Sequence, residues 1–243
     1  MTDRAAFPDD SAPRVSGTSG FSAILASLFE RDKLMRLPIV LFTGFFLVRE
    51  ILLLNEFLDR HPIQIEIQFL ANLGARISLI LFLVLLIGLH LGRSRPVNKA
   101  AGLQPKLSAL IGLTIGNLIL LLDKAEPAPL YDLMSAGLLL FGNYLCIVVL
   151  LHLGRSVSIM AEARRLVTSG PYALIRHPLY FAEEIATLGI FLQFRSWQAA
   201  AILVVHFGFQ VMRMFNEERV LRATFPEYHG YMQSTARLIP GVW

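Results

Sequence analysis

The stretch "PLYFAEEIATLGIFLQFRSWQAAAILVVHFGFQVMRMF", Pro178 to Phe215, decides the fold. Two apolar runs, Pro178–Phe194 and Gln198–Phe215, flank Arg195-Ser196-Trp197. At about 17 residues each, they lie at the short end of what crosses a bilayer as a helix. So short a break predicts a tight antiparallel hairpin. With Ser196 at the apex, His177 lies 19 residues back and Glu217 21 residues forward. At ~1.5 Å rise per residue their depths differ by only about 3 Å. His177 and the pair Glu217-Glu218 are thus expected at one level, at one membrane surface.

Each run carries a polar stripe at helical spacing. On the first, Tyr180, Glu183 or Glu184, and Thr187 share a face; on the second, His206, Gln210, Arg213 and Glu217 do. Polar groups are expensive in hydrocarbon, so such stripes face protein or a polar cavity. Two stripes opening toward the same surface predict a pocket between the helices. Glu183 and Glu184, one to two turns into an apolar segment, are candidates to line it. Glu217 and Glu218 have local cations at i−4 and i+4, Arg213 and Arg222, which alone would describe an exposed salt-bridged turn. His206 by itself reads as a packed, hydrogen-bonded histidine.

Working outward, the rest of the chain fits the same class. Of 243 residues 55% are hydrophobic and 16% charged, outside ordinary soluble composition. Four more apolar segments, about Leu34–Leu54, Asn72–Leu91, Leu107–Leu122 and Leu130–Leu153, give six spans in an all-α polytopic membrane protein. Residues 1–33 read as a polar, disordered tail without signal-peptide pattern, followed by a short interfacial helix bearing Phe21, Ile24, Leu25, Leu28 and Phe29. Residues 34–153 hold the four spans; 154–243 hold a catalytic region with the hairpin 178–215 and a cytoplasmic C-terminal segment. Arg31, Lys33 and Arg36, then Arg93, Arg95, Lys99 and Lys106, then Arg155, Arg164, Arg165 and Arg176 make alternate loops basic. Both termini are therefore expected in the cytoplasm. Arg49 and Glu50 are expected to snorkel from the far end of span one. The single cysteine, Cys146, lies in an apolar run and makes no intramolecular disulfide.

The mouth of the hairpin has its own logic. Gly170-Pro171 breaks the preceding structure. Pro178 suits the first turn of a helix, whose free N–H groups and positive dipole end stand next to His177. A carboxylate can dock there, with its cationic counterpart answered by Glu217 or Glu218. An amino acid head group carries both charges.

At these residues the chain resembles the isoprenylcysteine carboxyl methyltransferase family and its relative, phosphatidylethanolamine N-methyltransferase. The matching blocks are "LGRSVSI" (Leu153–Ile159), "LVTSGPYALIRHPLY" (Leu166–Tyr180) and "NEERVLRATFPEYHGYMQSTARLIPGVW" (Asn216–Trp243). Where many relatives carry a bulky apolar residue then Gly, this chain has Phe181-Ala182, and Ala keeps close helix packing. Where many read Phe-Gly, it has Phe225-Pro226, which alters a surface turn. The resemblance implies an integral membrane enzyme that moves a methyl group from S-adenosylmethionine to a lipid-like or amphiphilic acceptor, with no metal and no nucleic-acid partner. It implies cofactor contacts at Leu166, Val167, Gly170, Tyr172, His177, Tyr180, Glu217 and Glu218, the Leu166–Val167 backbone framing the adenine.

A carboxylate acceptor needs no base, since it is already ionised. An amine must be deprotonated, and a nearby glutamate then becomes useful. Arg213, a forked donor for carboxylate or phosphate, and Glu184 are the catalytic candidates. Carboxylate O-methylation is favoured over phospholipid-type N-methylation. Two other readings compete: a sterol-reductase-like enzyme using NADPH, and a non-catalytic transport or assembly protein on the same scaffold. Sterol reductases usually follow the Arg-His-Pro motif with Asn-Tyr and an Asp, whereas this chain has Leu179-Tyr180 and then Glu183-Glu184.

Overall fold

Among the described residues, six helices longer than ten residues, joined by short irregular segments, make an all-α fold. The computed structural model describes residues 36–60 and 66–241. The expected tail and interfacial helix, with Arg31 and Lys33, lie outside the described residues. In chain order the helices are α1 (Leu37–Arg60), α2 (Ile67–Gly92), α3 (Gln104–Thr114), α4 (Pro129–Leu153), α5 (Pro178–Phe194), α6 (Trp197–Thr224) and the short α7 (Tyr228–Ser234). α3 continues as a 3-10 turn, Ile115–Leu121. There the Thr114 hydroxyl and the Asn117 amide donate to the carbonyls of Leu110 and Leu113, at 2.9 and 3.1 Å. Side chains that engage helix carbonyls in this way bend helices and tighten their turns.

Five of these segments among the described residues are long and apolar enough to cross a membrane: α1, α2, Gln104–Leu121, Pro129–Ser156 and α6. α5 has 17 residues, about 25 Å of helix, shorter than a ~30 Å hydrocarbon core. The surface is inverted relative to a water-soluble protein. Leu37, Leu41, Phe45, Val48 and Leu52 stand exposed along one side of α1, while Glu50, His206, Gln210, Arg213 and Glu218 are buried. A protein that shows hydrocarbon outward and keeps polar groups inside is an integral membrane protein.

Pairings at each end fix which loops lie together. The α2–α3 loop carries β1 (Asn98–Lys99), paired antiparallel with β2 (Glu162–Ala163) of the α4–α5 segment. Asn98 reaches Thr224 at the end of α6, at 3.1 Å. The C-terminal segment joins the same end through a parallel bridge, Ile175 to Ala236. At the opposite end Arg195 donates to the Glu126 carbonyl, and the Ala125 amide donates to the Gln193 carbonyl at 2.9 Å. Arg195, left-handed at φ 35°, ends α5. Ser196 caps α6 by accepting from the Ala199 amide at 3.2 Å.

Small residues set the packing. A Cβ at Gly142 of α4 would lie 2.7 Å from the Ala186 amide nitrogen of α5, and one at Gly189 of α5 would lie 3.0 Å from the Ser135 carbonyl. The Ser135 hydroxyl donates to the Gly189 carbonyl at 2.7 Å. Such close backbone approach is a membrane-helix device, and it makes α4 the main neighbour of α5. α6 instead lies on α3, through Gly112, Gly116 and an Asn216–Ser108 hydrogen bond of 3.0 Å. The two arms of the hairpin therefore splay. They meet near the apex around Phe194 and Ala199, and near the mouth around Tyr180 and Met214.

Two expectations change. α6 runs nine residues past Phe215, to Thr224, so the hairpin is 178–224. Apolarity ends at Phe215, but Asn216–Thr224 contains no helix breaker; Phe225, disfavoured in helical geometry by Pro226, stops it. Glu50 does not snorkel. It is 7% exposed and takes a hydrogen bond from Arg76 of α2 at 2.9 Å.

Candidate functional site

The splay between α5 and α6 opens a cavity of about 1020 Å³. Both polar stripes face it: Tyr180, Glu183 and Thr187 from α5, and His206, Gln210, Arg213 and Glu217 from α6. They are cross-linked rung by rung. The Tyr180 hydroxyl donates to Glu217 Oε1 at 2.6 Å, and the Gln210 amide donates to Glu183 Oε2 at 2.8 Å. Arg213 donates from Nη1 to Gln210 Oε1 at 2.5 Å, and its guanidinium carbon lies 4.9 Å from the Tyr180 ring centroid. Its Nε finds no hydrogen-bond partner among the described residues.

The end bearing β1 and β2 holds the charged nook that the hairpin spacing anticipates. His177 Nε2 lies 3.1 Å from Glu218 Oε1, and His177 Nδ1 lies 3.8 Å from Glu217 Oε2. The two glutamates differ in role. Glu217 lines the cavity, with its side chain 24% exposed. Glu218 is 1% exposed and is held by Arg237 through two parallel hydrogen bonds of 2.9 Å, with Arg176 Nε 3.2 Å away. The backbone repeats this tie, since the amides of Arg176 and His177 donate to the carbonyls of Ala236 and Arg237. Glu218 thus fastens the C-terminal segment across the mouth of α5. The i±4 cations do not perform this role: Arg222 reaches the Glu218 carbonyl, not its carboxylate.

The remaining sequence candidates fall around the same opening. Leu166, Val167, Tyr172, His177 and Tyr180 line the cavity. Gly170 is exposed and does not line it; at φ +61° it starts a 3-10 turn, where a Cβ would overlap the His152 ring. Glu183, and not Glu184, faces the cavity. Glu184 Oε1 instead stands 3.3 Å from His206 Nε2, without hydrogen-bond geometry.

The structure adds residues that the sequence reading passed over as site groups. Arg176 and Arg237 clamp Glu218. Tyr228 and Tyr231 line the cavity, and the Tyr231 hydroxyl donates to the Tyr172 carbonyl at 2.6 Å. Burial pushes the phenols of Tyr172 and Tyr228 up and that of Tyr231 up to about 12, so all three stay neutral. Arg164 is fully buried at its side chain and bound to Glu162 at 2.5 Å, yet its Nε and Nη1 find no hydrogen-bond partner among the described residues. It lines the cavity beside Leu166 and Val167. Arg237 sits in the closing Arg-x-x-Pro of the quoted blocks, a signal present in the sequence; Arg164 carried none. Among the described residues no group of three or more His, Cys, Asp or Glu could hold a metal ion.

A match to a known family falls on this region. Residues 135–223 match the isoprenylcysteine carboxyl methyltransferase (ICMT) family. Over 76 residues the chain is 37% identical to the cobalt-zinc-cadmium resistance protein CzcN of Cupriavidus metallidurans, covering 31% of this chain and 35% of that protein. Over 80 residues it is 32% identical to the nickel-cobalt-cadmium resistance protein NccN of Alcaligenes xylosoxydans xylosoxydans, covering 32% of this chain and 38% of that protein. The chain spans about a third of the length of these curated relatives. No solved structure matches it significantly.

Proposed function

Because residues 135–223 carry the isoprenylcysteine carboxyl methyltransferase domain, we propose that this membrane protein transfers a methyl group from S-adenosylmethionine to an amphiphilic acceptor. The observation that carries the reading is one cavity joining a zwitterion-matching nook to the interior of a helix bundle. S-adenosylmethionine supplies an electrophilic methyl on a sulfonium, whose positive charge disappears as the methyl leaves.

The residues present fit that cofactor. Glu217 turns a carboxylate into the cavity and can hold an ammonium. The unpartnered N–H groups of Arg164 leave a buried guanidinium to be satisfied, which suits a carboxylate. Leu166 and Val167 offer an apolar wall beside polar backbone, as an adenine requires, and neutral Tyr172 and Tyr231 close the same side. A volume of about 1020 Å³ holds a cofactor and part of an acceptor. His177 and Glu218 then position the nook, while Tyr180 orients Glu217 through its 2.6 Å hydrogen bond.

On the acceptor side, Arg213 is fixed by Gln210 and by the Tyr180 ring, with Nε left for an anion. A carboxylate held there is ionised and shielded from water, and alignment with the methyl is the main remaining requirement. For an amine acceptor, Glu183 rather than Glu184 is the carboxylate in reach of the cavity. The alternate basic loops support a cytoplasmic nook, where the cofactor is available.

Equilibrium binding of labelled S-adenosylmethionine and of NADPH to the detergent-purified chain tests the proposal. Binding of the first without the second is expected. NADPH binding alone would return the reductase reading, and binding of neither would return the non-catalytic one. Membranes given methyl-labelled cofactor should then yield base-labile label, released as methanol, if the product is an ester.

A further inference from the structure

Deeper in the membrane, the same cavity meets a second polar layer that methyl transfer leaves unused. Measured from the helix ends opposite the nook, Glu50 lies ten residues from Arg60 and Arg76 nine from Ile67. Glu184 lies ten from Phe194 and His206 nine from Trp197. At ~1.5 Å per residue each stands about 14 Å in, near the middle of a ~30 Å hydrocarbon core. Four ionisable side chains from four helices at one depth are costly to keep there, and such residues mark functional sites.

Their arrangement gives the layer two walls. On one, Arg76 donates to Glu50 at 2.9 Å and its guanidinium carbon lies 5.4 Å from the Phe57 ring centroid. On the other, His206 turns Nε2 toward Glu184. Its Nδ1 lies against Gly116, 3.1 Å from where a Cβ would stand. Glu50, Arg76, His206 and Gly116 all line the cavity. His206 is 7% exposed, and neither Nδ1 nor Nε2 finds a hydrogen-bond partner among the described residues. The histidine is packed as expected, but the expected hydrogen bond is missing at both ring nitrogens.

We propose that this layer binds a second, oxygen-bearing head of the acceptor, a neutral hydroxyl or carbonyl about 10 Å from the methylated group along the membrane normal. The distance follows from α6: His206 and Arg213 are seven residues apart, ~10 Å of helix. A plain hydrocarbon tail at this depth leaves a buried imidazole nitrogen unsatisfied. A hydroxyl both donates and accepts, so it satisfies either tautomer of His206. The acceptor is thus a two-headed amphiphile rather than a simple alkyl or prenyl lipid. Which head receives the methyl rests on the methyltransferase reading; the binding of the second head does not.

The test uses the full chain in detergent without cofactor. Its probes are decanoate against 10-hydroxydecanoate, and decylamine against 10-aminodecan-1-ol, followed by calorimetric titration. Ratios between wild type and variants at one detergent concentration cancel micelle partitioning. In wild type the terminal hydroxyl is expected to tighten binding of at least one pair about fivefold, the effect of one net hydrogen bond. The gain should vanish in His206→Phe and survive in Glu217→Gln. Equal affinity of the hydroxylated and plain probes in wild type would overturn the proposal, as would an undiminished gain in His206→Phe. If His206→Phe does not fold, Gly116→Ala places a methyl against Nδ1 and carries the same readout. A hydroxyl gain without S-adenosylmethionine binding would sink the methyltransferase reading alone. Cofactor binding without the gain would sink only this one.

Discussion

Adjacent glutamates on one helix should fail in opposite ways when neutralised. Glu218→Gln leaves Arg237, Arg176 and His177 around an uncharged amide in a site 1% exposed. Two parallel 2.9 Å bonds from Arg237 become at best one. Breaking a buried pair by removing one partner costs about 3–5 kcal/mol. The cost should fall on what the pair fastens: residues 235–238, tied to the α5 mouth at Ile175–Ala236 and His177–Arg237. Hydrogen exchange of the Arg176 and His177 amides, which donate to the Ala236 and Arg237 carbonyls, should accelerate by about two orders of magnitude or more while the α4–α5 core stays protected. Glu217→Gln touches a side chain that lines the cavity and has one hydrogen-bonded neighbour, Tyr180. Exchange should change little, while S-adenosylmethionine affinity falls about 10- to 100-fold, the worth of one charge-assisted hydrogen bond. Unchanged exchange of the Arg176 and His177 amides in Glu218→Gln would refute the clasp. An unchanged cofactor Kd in Glu217→Gln would refute the division of roles.

Other consequences are quicker to state. Gly142→Leu, forced against the Ala186 backbone at 2.7 Å, should separate α4 from α5 and abolish recovery of folded protein, as read by size-exclusion in detergent. Gly170→Ala combines a left-handed φ of +61° with overlap on His152, so it should cost more than about 1 kcal/mol in thermal unfolding. His152→Ala in the same chain should recover part of that loss. Tyr231 has its hydroxyl raised from 10 to about 12 by burial. The folded state therefore holds a proton that the unfolded chain releases above pH 10, and stability should fall between pH 10 and 12. Tyr231→Phe should flatten that slope, and an unchanged slope would place the hydroxyl in solvent. Arg213→Lys should weaken binding of an anionic acceptor while leaving cofactor affinity intact, because an ammonium lacks the planar fork and the stacking over Tyr180.

The parts of this molecule legible in its sequence are those fixed by helix geometry. A constant rise per residue set His177 opposite Glu217-Glu218 from the position of Ser196 alone, and period 3.6 put both stripes on one cavity. What escaped has a common cause. Local spacing offers Glu218 the cation Arg222, but the structure gives it Arg176 and Arg237, the latter 19 residues on, delivered by a return of the chain past α7. A carboxylate's partner is chosen by tertiary proximity, which i±4 arithmetic does not see. The same holds for Glu50. From its own helix it reads as a residue near a membrane surface, and its buried carboxylate is held by Arg76 on α2 at 2.9 Å, with Arg49 3.8 Å away. The splay of α5 from α6 follows the same rule. A three-residue turn predicts contact, but Gly142 and Gly189 draw α5 onto α4 while Gly112 and Gly116 draw α6 onto α3. Glycines that carry no chemistry loosen the hairpin, and the polar stripes, still bonded to each other at Tyr180–Glu217 and Gln210–Glu183, also face a cavity.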